Sequence, residues 1–191
     1  MAAESKITIG IYKTVSKAIA HSNNLDIMTS HLCQLLVAAL DIRACAIFVL
    51  DIESQQMQLL ASFGLSAKYL SKGTILAKKS IGANIKGKAV IISDVSKDER
   101  ALQYPEEAKE EGIAAILSIP IVVSGSVLGT LRLYHSEIWH ISEQDLDSLH
   151  LLADYIGLAM TYTSLLSAIY SINEIIQAGL PMHVAPRVTK T

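Results

Sequence analysis

Residues 44–52, ACAIFVLDI, are apolar on both of their alternating sets, Ala46-Phe48-Leu50 and Cys45-Ile47-Val49. Successive side chains of a strand point to opposite faces, so this strand needs cover above and below. The run AAILSIPIVV, residues 114–123, is almost all apolar as well. Each run continues into a hairpin. SQQ, residues 54–56, turns the first into MQLLASF, and Ser124-Gly125-Ser126 turns the second into VLGTLRLYH. Pro120 is best placed where its missing N–H is not needed by the ladder. Residues 64–112 form a long connection with one short strand, AVIISDV, inside it.

Helical periods flank this sheet region. Ile7, Ile11, Val15, Ala18 and Ile19 recur at spacings of three and four, and Asn23 and Asn24 end that run. Asp26 is placed to cap a second helix carrying Ile27, Leu32, Leu35, Leu36 and Leu40. From Ser142, at capping-box spacing from Asp145, a third apolar stripe includes Leu149, Leu152, Ile156 and Met160. It continues through Leu165, Leu166, Ile169, Ile172, Ile175 and Ile176 until Gly179 and Pro181 stop it. A helix of that length, roughly 50 Å at 1.5 Å per residue, outruns a small sheet. Its second half and the first helix are therefore expected to pack on another copy. The expected architecture is α+β in three layers: an antiparallel sheet of five or six strands, terminal helices on one face, and the long connection on the other. A face roofed by short pieces is a natural place for a cavity.

Composition narrows the function. The chain has 191 residues, 51% apolar and 18% charged, with net charge −2. It can bury a large core, and it lacks the basic excess of a nucleic-acid binder. No uninterrupted apolar run approaches the roughly 20 residues that span a bilayer, and MAAESKITIG does not read as a secretory signal. Cys33 and Cys45 lack metal or disulfide spacing and read as core residues in a reducing, cytoplasmic setting. GANIKGKA, residues 82–89, misses a phosphate loop because Ala89 stands where Ser or Thr must reach Mg²⁺. The six histidines form no ligand pair; His135 and His140 flank a loop with Trp139. No cofactor and no metal are expected. Charge along the connection is segregated: Lys68, Lys72, Lys78, Lys79, Lys86 and Lys88 precede Asp94, Asp98, Glu99, Glu106, Glu107, Glu110 and Glu111. Two solvated faces explain this, and so does a cavity lid.

Residues 89–160 resemble the GAF domain family. The short strand ending at Asp94, the run EEGIAAILSIPI, the Gly125 turn, the strand GTLRLY and the helix start ISEQDLDSLHLLAD follow the family's order and spacing. With the first hairpin, the resemblance covers roughly residues 25–161. It implies an antiparallel sheet, flanking helices and a pocket between sheet and connection, in a domain typical of signalling sensors. Family members with special chemistry are set aside residue by residue. The free methionine sulfoxide reductases, which look like GAF domains, need redox cysteines on the pocket loops and carboxylates on the sheet. No cysteine occurs between Phe63 and Gly112, and Ile116, Arg132 and Tyr134 stand where sheet carboxylates belong. In LYHSEIWHISEQD the Asn-Lys pair and Phe of cyclic-nucleotide binders are missing. A tetrapyrrole would need a cysteine on the connection. Catalysis is therefore not expected.

Arg132 is the candidate anchor. In VLGTLRLYH, Leu131 and Leu133 point to the end helices, with Gly129 allowing close approach, so Thr130, Arg132 and Tyr134 face the connection. Ile116 and Ser118 share that side. A buried guanidinium must be paired. Its partner is either an internal acid, Asp94, Glu107 or Glu111, or an anionic ligand held bidentately. Phe48, Phe63, Tyr69 and Tyr104 would wall the cavity. The expected division is an N-terminal dimer-forming helix (1–23), a GAF domain (24–161), a dimer-forming helical extension (162–178) and a flexible tail (179–191). The expected function is a homodimeric small-molecule sensor signalling to a protein partner in trans, without nucleic acid or membrane. A ligand-free dimerisation scaffold is the alternative.

Overall fold

A computed structural model describes residues 7–20, 24–76, 87–98 and 102–179. The expected tail beyond Gly179, and Lys78, Lys79, Lys86 and Glu99, lie outside them. The fold is α+β. In chain order the described elements are α1 (Ile9–Ala20), α2 (Leu25–Leu40), β1 (Ala44–Asp51), β2 (Gln56–Phe63), α3 (Ala67–Leu70), β3 (Ile75–Leu76), β4 (Val90–Ile92), α4 (Pro105–Glu110), β5 (Ala115–Val123), β6 (Ser126–His135) and α5 (Glu143–Gly179). The six strands form one antiparallel sheet in the order β3-β2-β1-β6-β5-β4.

Both faces are covered, as the strand composition requires. On the back, Cys45, Ile47, Leu117, Ile119, Leu131 and Leu133 pack against Leu32, Leu36 and Leu40 of α2 and Leu152 and Ile156 of α5. On the front, Ala44, Ala46, Phe48, Ile116 and Tyr134 meet Tyr69, Ile92, Val95, Ala108 and Ile113 from the connection, making a second core. Pro120 lies beyond the last β4 rung, Val90–Ser118, so that pairing needs nothing from its nitrogen.

Three local readings are corrected by the coordinates. The cap of α2 is Asn24, whose side chain accepts from Ile27 N at 3.0 Å, and not Asp26. Gly129 is needed by a strand and not by a helix: a Cβ there would lie 2.0 Å from the Phe48 carbonyl oxygen on β1. The glycine that lets the long helix approach is Gly157, where a Cβ would come within 2.7 Å of Val123 Cγ2. Ser142 does cap α5, its Oγ accepting from Asp145 N at 3.1 Å. Asp145 then reaches to Ile7 N (2.9 Å) instead of completing a capping box, and Tyr12 Oη donates to Ser148 O (2.6 Å). These bonds hold α1 against its own α5, and Val15 is buried there.

α5 is longer than the sheet it covers, about 55 Å at 1.5 Å per residue. Its apolar residues do not form one stripe. Leu149, Leu152, Ala153, Ile156, Met160 and Thr163 face the back core. Leu151, Tyr155, Leu158, Tyr162, Leu165, Ile169, Ile172 and Ile176 alternate at spacings of four and three and are 41–61% exposed. At 3.6 residues per turn, the two sets lie roughly 150° apart. A strict 4-3 alternation over this length is the heptad of a coiled-coil seam, with Tyr155, Tyr162, Ile169 and Ile176 at one core position and Leu151, Leu158, Leu165 and Ile172 at the other. No Asp, Glu, Lys or Arg occurs from Tyr155 to Asn173. By length and composition alone this helix could also cross a membrane, but its first half is committed to the sheet.

Gly129→Ala should destabilise the fold by about 2 kcal/mol or more, because the obstructing atom is backbone and cannot rotate away. A urea midpoint lowered at unchanged slope would confirm it; an unaltered midpoint would contradict the close approach.

Candidate functional site

The β1–β6–β5 register builds the floor of the front face. Arg132 pairs with Ala46 on one side and Ser118 on the other, and Tyr134 pairs with Ala44 and Ile116. Three of these four neighbours are small, which leaves width for a guanidinium and a phenol on adjacent front-facing positions. Arg132 is 5% exposed. Its Nε donates to Ser118 Oγ at 2.9 Å, and its Cζ stands 5.5 Å from the Phe48 ring centroid. Thr130 turns its hydroxyl to Ile119 O (2.9 Å). Tyr134 is fully buried, and its hydroxyl has no hydrogen-bond partner among the described residues. Burial holds that phenol above its ordinary range against the pull of neighbouring Arg132. Tyr69 packs edge-on against it, with ring centroids 6.0 Å apart. Burial, first, raises the Tyr69 phenol as well.

The internal acids take partners of their own. Asp94 accepts from Ser96 N and Oγ (3.1 and 2.6 Å) and pairs with Lys97 (2.9 Å), closing its own turn. Glu111, 8% exposed, pairs with Arg43 Nη2 at 3.3 Å. It also accepts from Ser66 N (2.9 Å) and from Ser66 Oγ. Burial pushes the Glu111 carboxyl up, but the Ser66 bonds and Arg43 outweigh it and leave it below its ordinary value. Glu107 lies beside this group at a hollow of about 330 Å³ formed with Arg43, Ser66, Lys68, Tyr69, Glu110 and Glu111. The basic and acidic halves of the connection meet there: Lys68 Nζ reaches Glu110 at 2.6 Å in the open.

A second hollow, about 230 Å³, opens at the β2–β3 edge between Phe48, Gln56, Met57, Leu59, Leu70, Lys72, Gly73, Thr74 and Ile75. Lys72 Nζ donates to Tyr69 O at 2.9 Å and lies 3.4 Å from the Tyr69 ring centroid and 6.0 Å from that of Tyr104. Burial, and then Arg132, lowers the Lys72 ammonium to about 8. Tyr104 Oη donates to Thr74 O at 2.8 Å, and a Cβ at Gly73 would lie 2.9 Å from that hydroxyl.

Of the residues singled out in the sequence, Arg132, Tyr134, Ser118, Ile116, Phe48 and Tyr69 converge on the front face, with Thr130 beside them and Tyr104 at the rim. Glu107 and Glu111 stand at the neighbouring hollow. Asp94 is turned to its own loop. Phe63 does not join the group: it pairs with Cys45, on the helix side, and is 44% exposed. The sequence does not point to Arg43 or Ser66, and it offers Lys72 only as one of the lysines of the charge-segregated connection. The absence of acids across residues 65–93 was the available pointer to Lys72. Among the described residues, no group of three His, Cys, Asp or Glu side chains could hold a metal.

The GAF domain family matches residues 24–160, and the chain belongs to it. Among curated proteins no match is found. Solved structures agree on the fold. A GAF domain from a phosphoenolpyruvate-protein phosphotransferase of Coxiella burnetii superposes with TM-score 0.74 at 21% identity, covering 84% of this chain and 96% of its own. A domain of a putative two-component sensor histidine kinase from Sinorhizobium meliloti 1021 gives 0.66 at 20%, with 78% and 99% covered. The free methionine-R-sulfoxide reductase of Neisseria meningitidis, solved with its substrate, gives 0.69 at 16%, with 86% and 99% covered. GAF domains are sensory and regulatory modules.

Stability contributed by Glu111 is present above its ordinary value of 4.5 and is lost as pH falls through its lower folded value. Ser66→Ala should therefore flatten the acid limb of a stability–pH curve below about 4.5, and melting temperatures measured between neutral and acid pH would show it. An acid limb unchanged by the substitution would remove Glu111 as its source.

Proposed function

We propose that this chain is a cytoplasmic, non-catalytic regulatory GAF module that binds a small anionic molecule between the front of the sheet and the connection. In this reading it works as a homodimer through α5 and passes changes of occupancy to a protein partner in trans. The carrying observation is the buried Arg132. It is seated on the front side of the sheet between two small neighbours, Ala46 and Ser118, beside Tyr134, whose hydroxyl has no hydrogen-bond partner among the described residues. A buried guanidinium matches the planar, two-oxygen geometry of a carboxylate or phosphate. The cytoplasmic setting is supported by Cys33 and Cys45, neighbouring free thiols that are both fully buried, with burial raising Cys45 well above its ordinary value.

The dimer reading is supported by the exposed heptad seam. An apolar stripe of that length facing water is costly, and a second copy in parallel register covers like with like. Clefts flank it on both sides: about 400 Å³ against β1 and β6 (Val49, Leu128, Leu165) and about 270 Å³ against α1 (Ile19, Tyr155, Tyr162). A ligand-free scaffold is favoured by a different observation, the second core that fills much of the front face.

Two measurements test these readings. Mass spectrometry of small molecules released from the purified protein, followed by thermal shift with each, should give a ligand whose stabilisation falls at least about tenfold in apparent affinity in Arg132→Lys. A folded Arg132→Lys protein with undiminished shifts would remove the anchor. The double variant Leu165→Asp/Ile169→Asp, at exposed positions, should sediment as a monomer with its sheet domain folded, where the wild type sediments as a dimer. A monomeric wild type at micromolar concentration would overturn the dimer.

A further inference from the structure

The hollow at the β2–β3 edge is lined by a cation, Lys72. Among the described residues, no carboxylate oxygen lies within 4.0 Å of Lys72 Nζ; the ion pairs found there are Arg43–Glu111, Lys68–Glu110 and Lys97–Asp94. An ammonium has three donors. One is taken by the Tyr69 carbonyl and the charge leans on the Tyr69 ring, which leaves donor capacity at the hollow that Lys72 lines. Glu107 and Glu111 act on Lys72 at longer range, and Glu111 is already held by Arg43 and Ser66. Arg132 acts in the opposite sense, as a second positive charge on the same side of the sheet. Two cations on the same side of the sheet, one over Phe48 and one over Tyr69, repel. An anion in the hollow relieves that repulsion.

We propose that this hollow is an anion subsite in which a short-chain carboxylate sets its charge on Lys72 Nζ and its hydrocarbon against Phe48, Met57 and Ile75. The proposal rests on the reading of the front face as a small-molecule site, and adds the ligand's class and a residue that the sequence did not single out. At about 30 Å³ per water, the hollow of about 230 Å³ has room for roughly eight. That is the size of a carboxylic acid of about four to six carbons. Its walls are mixed, apolar at Phe48, Met57 and Ile75 and polar at Gln56 and Thr74, which suits an amphipathic anion better than a bare phosphate.

The same geometry couples binding to protons. Burial and Arg132 hold the free ammonium at about 8, while the charged groups facing it, Glu107 and Glu111, pull weakly the other way. Tyr69 stays neutral throughout this window. A bound carboxylate favours the charged amine and raises its value. Above about pH 8, binding must therefore take up a proton, and affinity should fall as pH rises, approaching tenfold per unit. Without ligand, Lys72 makes the folded protein gain stability between about 8 and its ordinary 10.5, since only the unfolded chain still holds that proton.

Calorimetric titration of the full chain with sodium pentanoate, pentanamide and inorganic phosphate tests this, at about pH 7 and about pH 9 and in two buffers of different ionisation enthalpy. Pentanoate should saturate and bind at least about tenfold more tightly than pentanamide or phosphate. At the higher pH it should bind more weakly, with proton uptake from the buffer. Lys72→Met should lose that binding and flatten the alkaline rise in stability, while melting as a folded protein at neutral pH. Equal binding of acid and amide, tighter binding of phosphate, no saturation at millimolar concentration, or pentanoate binding retained in Lys72→Met would each overturn the subsite. A molecule recovered from the protein that depends on Arg132 but binds Lys72→Met unchanged would overturn the subsite alone and leave the reading of the front face intact.

Discussion

The carboxylate of Glu111 fastens the front layer to the sheet. That layer is built from α3, α4 and short strands, none long enough to hold itself on a flat surface by burial alone. Glu111 caps the C-terminal end of α4, takes the backbone and hydroxyl of Ser66 at the start of α3, and reaches Arg43 just before β1. Three chain segments far apart in sequence thus meet at one nearly buried charge. Hydrogen bonds to a charged group are stronger than neutral ones, and losing one partner of such a group is costly. With this point fixed, Tyr69 falls over Tyr134, and Lys72 arrives at the β2–β3 edge.

The two faces of the sheet are solved differently. The back is closed by two long helices whose side chains interlock with those of the strands, leaving little besides hydrocarbon. The front carries a guanidinium, a lysine ammonium and three phenols among its apolar residues, with hollows at two of its edges. Small residues on the central strands make this arrangement fit. Ala44, Ala46 and Ser118 flank Arg132 and Tyr134, and a larger residue at any of them would occupy the space that the charged and aromatic groups now use.

The layer order, the two hairpins and the helical stretches were legible because each depends on local periodicity. Loss of alternation in ACAIFVLDI required cover on both faces, and both faces are covered. The orientation of Arg132 followed from its alternation with Leu131 and Leu133. What sequence could not supply was cross-strand register. Phe63 was grouped with the cavity aromatics, but a bulge between Ile47 and Phe48 and its pairing with Cys45 set it on the helix side. Gly129 was assigned to helix approach, although the atom it accommodates belongs to the neighbouring strand. The single stripe read along α5 became two opposite faces, since a period near 3.6 does not say which residues the sheet will claim. The choice of Arg43 and Ser66 by Glu111 depends on three loops meeting, and no spacing in the chain encodes that.

α5 also has a mechanical consequence. It runs unbroken from beneath the sheet to Gly179, so the residues gripped by the back core and those far outside it belong to one stiff rod. From Met160, near the last grip, to the final turn is roughly 28 Å at 1.5 Å per residue. A tilt of about five degrees at the sheet would swing the far end by roughly 2.5 Å on that lever arm. Such a displacement is about half a helical turn, large enough for anything seated on the distal half to feel a small readjustment among the strands.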